Sequence, residues 1–188
     1  MGKLIIRTLL FVIWAALTTS CMYYSMAGSI PAHINSIAIP IVENQTAEFG
    51  MSESVTENLL VKFNEENILR VTDEDQATSI LRGTITRVSD APYTFTKEEA
   101  VTEYRFTVHM KVEWYDVRED KNLLEKSFSG WGAYGLSGDI SSDAIDNDGD
   151  GLIDGEDDDE FGDPREFATT VAVTKIAEDV LNEIMTSW

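Results

Sequence analysis

Residues 103–116 constrain this chain more than any other stretch. Tyr104, Phe106, Val108, Met110, Val112 and Trp114 alternate with Arg105, Thr107, His109, Lys111, Glu113 and Tyr115. Successive side chains of a strand point to opposite faces. The alternation therefore describes one long strand, with one face on a core and the other wet or against a partner. Such a strand needs a sheet around it and a second layer over its apolar face.

The rest of the chain supplies both. Residues 79–89 (SILRGTITRVS) read as a second strand, and residues 122–132 as a third after the charged turn Arg118 to Lys121. Residues 90–102, with Pro92 and a Lys97-Glu98-Glu99 tip, read as a long hairpin connection. Residues 34–42 alternate so that Ile37, Ile39 and Ile41 share a face, and Pro40 places that strand at an edge or a strand end. Glu43 to Gly50 is a polar loop. Residues 52–66 read as a helix: Ser54 and Glu57 have capping-box spacing, and Val55, Leu59 and Phe63 form one buried stripe. The run Asn64-Glu65-Glu66-Asn67 stops it. Residues 166–186 give a second helix, with Val173, Ile176, Ala177, Val180, Leu181 and Ile184 on its buried face. The expected fold is α+β: a two-layer sandwich in which a four-stranded, mostly antiparallel sheet carries two helices on one face, in the order β-α-β-β-β-α, with an acidic loop insert before the last helix.

The N-terminus reads as an export signal. Lys3 and Arg7 precede the apolar run Leu9 to Leu17, nine residues, followed by Thr18, Thr19, Ser20 and Cys21. Nine apolar residues are too few to span a bilayer, which takes ~20. The expected division is a signal peptide over 1–20, a lipid-anchored tether over 21–33 with Gly28, Ser29 and Pro31, and one domain over 34–188. The stretch is similar to a bacterial lipobox, which would place a covalent lipid on Cys21. It departs from that motif at Thr18, where Leu is usual, with Leu17 one place further back. Met22 rather than Asp after the Cys favours sorting to the outer membrane. A single Cys excludes an intramolecular disulfide.

Charge narrows the partners. Net charge is −20. Residues 139–166 hold thirteen acidic side chains and one basic one. No basic surface suited to phosphate is evident, so no nucleic-acid partner is expected. Two histidines, His33 and His109, and an acylated Cys21 leave no Ser/His/Asp or Cys/His arrangement to assemble. No Gly-rich phosphate loop follows a strand. The expected protein is not an enzyme.

One motif carries specific chemistry. In residues 146–157 (DNDGDGLIDGED), Asp146, Asp148 and Asp150 fall at positions 1, 3 and 5 of a calcium loop, and Gly151 at position 6, where the chain must turn. Leu152 offers its backbone carbonyl at position 7, Asp154 stands at position 9 and Asp157 at position 12. Hard oxygen ligands at this spacing can wrap Ca²⁺, and the stretch resembles dockerin-like and thrombospondin-type repeats. It reads as an isolated loop within the insert at about 139–164, not as an EF-hand domain.

Several short stretches together resemble a known family. Cys21-Met22-Tyr23-Tyr24-Ser25, Ile37-Ala38-Ile39-Pro40 and Asn44-Gln45-Thr46 are similar to the opening of LptE-type lipopolysaccharide-assembly lipoproteins. The likeness continues through Ser54 to Phe63, Leu81-Arg82-Gly83-Thr84-Ile85, Glu103-Tyr104-Arg105-Phe106, Ala177-Glu178-Asp179-Val180 and Trp188. The resemblance implies a lipid-anchored protein on the periplasmic face of the outer membrane. It implies a plug in the lumen of an LptD-type β-barrel that supports the barrel's folding and helps deliver lipopolysaccharide to the outer leaflet. It also implies basic contacts to the lipid near the tip joining the strands at 79–89 and 103–116, where Lys97 lies; the other basic residue near an expected contact, Arg165, matches poorly. The alternative reading is a lipid-anchored periplasmic or surface calcium-binding module without a barrel partner.

Overall fold

The structure, a computed structural model, describes residues 30–135 and 163–186. Cys21, the tether before residue 30, and the calcium-loop residues Asp146, Asp148, Asp150, Leu152, Asp154 and Asp157 lie outside the described residues. Among the described residues there are six strands: β1 (Ser36–Ala38), β2 (Glu43–Asn44), β3 (Arg70–Val71), β4 (Ser79–Phe95), β5 (Val101–Asp116) and β6 (Lys121–Gly135). Helix α1 (Met51–Glu66) follows β2, and α2 (Pro164–Thr186) closes the chain.

The sheet is mixed and six-stranded, which corrects the expectation of four mostly antiparallel strands. Its order is β3-β1-β4-β5-β6, with β2 pairing β4 beyond β1. The antiparallel part is the meander β4-β5-β6. The strands on the other side are parallel: β1 pairs both β3 and β4, and β2 pairs β4. The reason is connectivity. Parallel neighbours need a crossover of a dozen or more residues, and the 16-residue α1 between β2 and β3 provides it.

The expected strand 34–42 is split. Pro40 has no N–H to give a ladder, so β1 ends at Ala38 and pairing resumes at Glu43. The break also changes which side chains face inward. Ile37 and Ile39 are buried, but Ile41 is 65% exposed and Val42 takes the inward place. The expected connection 90–102 is mostly strand, because β4 runs to Phe95 and β5 starts at Val101. Pro92 is tolerated because β2 reaches only Ile85, leaving the far end of β4 as an edge.

The cap of helix α1 is Gly50, four residues before the Ser54 that the Ser54/Glu57 spacing suggests. Gly50 caps it in the left-handed region (φ 76°), with no side-chain cap, and the Ser54 N–H already donates to the Gly50 carbonyl at 3.0 Å. Its stripe is Met51, Val55, Leu59 and Phe63, all buried, and Asn67 ends it in the left-handed region. Helix α2 has the cap that α1 lacks. The Asp163 carboxylate accepts the Arg165 and Glu166 N–H groups at 3.0 and 3.1 Å, and Pro164 stands at the first helical position, where a missing N–H costs nothing.

Both helices belong to one core with the inner face of the sheet. Phe106, Val108, Met110, Val112 and Trp114 of β5 are fully buried there with Val173, Ile176, Ala177, Val180 and Ile184 of α2. A bulge at Thr86 separates the pairs Ile85–Met110 and Arg87–His109. It shifts the alternation of β4 by one, so that Val88 packs against the same core as Ile85. On β6, Gly130 and Gly132 let α2 sit unusually close. A methyl group at either place would lie 1.9 Å from the Ala172 carbonyl oxygen or 2.3 Å from that of Ala168.

Candidate functional site

With both helices on one face, the opposite face of β4-β5-β6 carries no described helix. It displays Arg82, Thr84, Arg87, Arg105, Thr107, His109, Lys111 and Glu113, in register with Glu125, Ser127, Ser129 and Trp131 of β6. This is the wet face expected of the long strand. Its centre is ionic. Lys111 Nζ lies 2.7 Å from Glu125 and 2.9 Å from Glu113, and these hydrogen bonds raise its pKa, Glu125 contributing most. His109 is paired with Arg87, whose guanidinium donates to Nε2 at 3.2 Å. Partial burial, then the Arg87 charge, lower the His109 pKa and so favour the neutral ring.

The distal half of the same face is aromatic and cationic. The Arg105 guanidinium lies 4.7 Å from the Tyr93 ring centre and 5.1 Å from that of Trp131, and the two rings are 5.7 Å apart. Lys175 reaches the Trp131 ring from α2 at 5.8 Å. Contacts of this kind contribute ~0.5–1 kcal/mol each at exposed sites. The sequence pointed to Arg105 but not to the trio. The available signal was Gly130-Trp131-Gly132, a large aromatic flanked by two residues that must be small.

Lys97 sits exposed in the turn between β4 and β5, beside Glu98 and Glu99. The Thr96 N–H donates to the Ala100 carbonyl at 2.8 Å, the Thr96 hydroxyl accepts from the Glu98 and Ala100 N–H groups, and Glu99 adopts φ 65°. The tip is a formed turn, and Lys97 projects from it. Arg165 is placed differently. Its Nε donates to Asp90 at 2.8 Å and its NH1 to Glu48 at 3.0 Å, with the guanidinium 4.8 Å from the Phe106 ring centre. The Tyr134 hydroxyl also donates to Asp90, at 2.8 Å. Glu48 and Asp90 raise the Arg165 pKa further, and burial with the Asp90 contact raises that of Tyr134 to about 12. Arg165 therefore fastens the start of α2 to β4 and to the loop before α1, and its charge is already used.

His33, read as the end of the tether, is part of a cluster that local sequence does not reveal. Its Nε2 lies 2.6 Å from Oδ2 of Asp116, 83 residues away, and the Asp116 side chain is 0% exposed. The other oxygen, Oδ1, accepts the Arg118 and Glu119 N–H groups at 2.9 and 3.1 Å and so shapes the β5–β6 turn. Burial pushes the Asp116 carboxyl up, but the His33 hydrogen bond and the two backbone donors outweigh it and hold the pKa below the usual value. The Glu119 carboxylate completes a group whose ligand atoms lie within 4.8 Å of one another. A cleft on the open face near β2 is lined by Pro40, Ile41, Glu43, Arg82, Lys111 and Glu113, charges of both signs that largely satisfy each other.

No curated protein matches the chain. Among solved structures, protein XCC0632 from Xanthomonas campestris is similar at 9% identity and TM-score 0.53, over 83% of this chain and 88% of that one. A minor lipoprotein from Acinetobacter baumannii is similar at 10% identity and TM-score 0.47, over 80% and 91%. The rare lipoprotein B from Shewanella oneidensis is similar at 10% identity and TM-score 0.42, over 78% and 92%. At such identities the first of these speaks for the fold alone, and the other two add no argument. The family model described as LptE, lipopolysaccharide-assembly, matches residues 34–186, from the buried Ile34 to the last residue of α2. The chain belongs to the LptE lipopolysaccharide-assembly family.

Proposed function

We propose that this chain is a non-enzymatic outer-membrane lipoprotein that plugs an LptD-type β-barrel, supports the folding of that barrel and helps deliver lipopolysaccharide to the outer leaflet. The observation that carries the reading is the family match over residues 34–186. The family partners with LptD and lipopolysaccharide, and its members are lipoproteins without enzymatic activity. The one-sided architecture supports the same reading. A rigid sheet backed by two helices suits a wide polar lumen, and its free face, Arg105 to Tyr115, is the surface offered to the barrel wall or the glycolipid. Lys97, exposed at the hairpin tip, is the proposed basic contact to lipopolysaccharide.

The anchor in this reading is a covalent lipid, palmitate included, on Cys21 after removal of residues 1–20. Each buried CH₂ contributes ~0.8 kcal/mol, so two or more chains hold where one holds only marginally. Mass spectrometry of the mature N-terminus tests it, and a free thiol at residue 21 contradicts it. The insert is proposed to bind Ca²⁺ through Asp146, Asp148, Asp150, the Leu152 carbonyl, Asp154 and Asp157, ordering a loop at the ~10⁻⁴–10⁻³ M affinity of extracellular modules. Calorimetric titration showing no Ca²⁺ heat in that range rejects this. For the main proposal the test is affinity purification from solubilised outer membranes. Recovery of an LptD-type barrel supports it. A monomer that takes only Ca²⁺ supports instead the anchored calcium-binding module.

A further inference from the structure

The His33–Asp116–Glu119 cluster has the composition and placement of a small metal site, and we propose that it binds a divalent transition-metal ion, with Zn²⁺ as the representative. The three ligands come from three places: the segment leading into β1, the end of β5, and the β5–β6 turn. One imidazole and two carboxylates form a borderline-soft donor set, which suits Zn²⁺ better than Ca²⁺ or Mg²⁺ and leaves a fourth, water-filled position. A neutral imidazole with two carboxylates carries two negative charges, matching a dication.

The geometry is half prepared. Asp116 is buried, and its Oδ1 is fixed by two backbone N–H groups, which leaves Oδ2 aimed at His33. Nε2 and Oδ2 stand 2.6 Å apart, a short hydrogen bond. Two ligands on a tetrahedral Zn²⁺ stand ~3.3 Å apart, given bonds of ~2.0–2.2 Å. Binding therefore displaces the hydrogen-bonded proton, which passes through solvent to Nδ1 of a neutral ring or to bulk water from a charged one, and opens the pair by about 0.7 Å. His33 is 19% exposed and the Glu119 side chain 47%, so the ion has a path from solvent and Glu119 can swing in. Glu119 must first leave Lys121, whose Nζ lies 2.5 Å away in an exposed pair of little strength. The bound ion would join the segment that enters the domain to the far turn of the sheet, across 83 residues of sequence.

The test uses the full purified mature chain with Ca²⁺ in excess, so that hard-oxygen sites in the insert are filled, and Zn²⁺ as the added probe. The chain has two histidines, so NMR of the imidazole nitrogens gives an internal control. The expected result is that Zn²⁺ moves the His33 Nε2 resonance and leaves that of His109 in place. Calorimetry is expected to show one Zn²⁺ site that His33→Gln abolishes and Glu119→Gln weakens at least about tenfold. Glu119→Gln lies on an exposed turn and leaves the fold intact, which covers the case of a His33 variant that does not fold. An unmoved His33 ring, or Zn²⁺ binding equal in wild type and Glu119→Gln, overturns the proposal.

Discussion

Gly130→Ala is the most demanding prediction of the packing described above. The added Cβ would stand 1.9 Å from the Ala172 carbonyl oxygen, 2.9 Å from its carbon and 2.9 Å from Cγ1 of Ile176. An ordinary carbon–oxygen contact is ~3.3 Å, so α2 must retreat by about 1.4 Å at that point. The obstacle is backbone, and trimming a side chain on α2 cannot relieve it. A gap of only 0.5–1 Å already forfeits about a quarter to a half of a contact's attraction. Helix α2 contributes eight buried residues, from Ala168 to Ile184, and several would be loosened together. The expected cost is therefore at or above the upper end of ordinary overpacking, ~3 kcal/mol. That corresponds to a fall in Tm of ~6–12 °C for a chain of this size. Urea denaturation followed by far-UV circular dichroism reads it directly, with Gly135→Ala as control, since nothing lies within 4 Å of a Cβ there. If Gly130→Ala and Gly135→Ala both lie within about 0.5 kcal/mol of wild type, the close seating of α2 on β6 is wrong.

Other substitutions probe the polar ties. Asp116→Ala, measured by denaturation in chelator-treated buffer, is expected to cost about 2–3 kcal/mol, because two backbone N–H groups and His33 lose a buried acceptor. Arg165→Ala is expected to cost only about 1 kcal/mol in the same assay, its pairs with Glu48 and Asp90 being partly exposed. Arg165→Lys should not restore it, since one ammonium cannot reproduce a fork that reaches two carboxylates. Tyr134 gives a pH test. The fold raises its pKa to about 12 and so favours the neutral phenol, a contribution present below the ordinary value of 10.0 and lost as pH rises toward 12. The stability gap between wild type and Tyr134→Phe should close over that range in denaturation curves taken at stepped pH.

Legibility from sequence followed the range of the interactions. The β5 strand and the inner face of α2 were readable because alternation and helical spacing are local signals, and each apolar residue named for the α2 face is buried. The parallel strands were not readable. Pairing of Ile37 with both Val71 and Ser79 depends on where α1 returns the chain, and two- or three-residue strands leave no period to detect. Ser54 misled because a capping-box spacing also arises within a first turn, and the cap here is the backbone of Gly50. The turn that carries Lys97 is legible from its charged, Pro-flanked stretch. The ties of Arg165 to Glu48 and Asp90, 117 and 75 residues away, leave no local trace in the sequence. The His33–Asp116 pair joins residues too far apart for any local motif to register.

The proposed role in barrel folding is exposed by removing the chain from cells. With the chain depleted in cells, the folded form of the LptD-type barrel, read from its heat-modifiable gel mobility, is expected to fall while unfolded barrel accumulates. Restoring the wild-type chain should recover it. An undiminished level of folded barrel under full depletion would rule out that role.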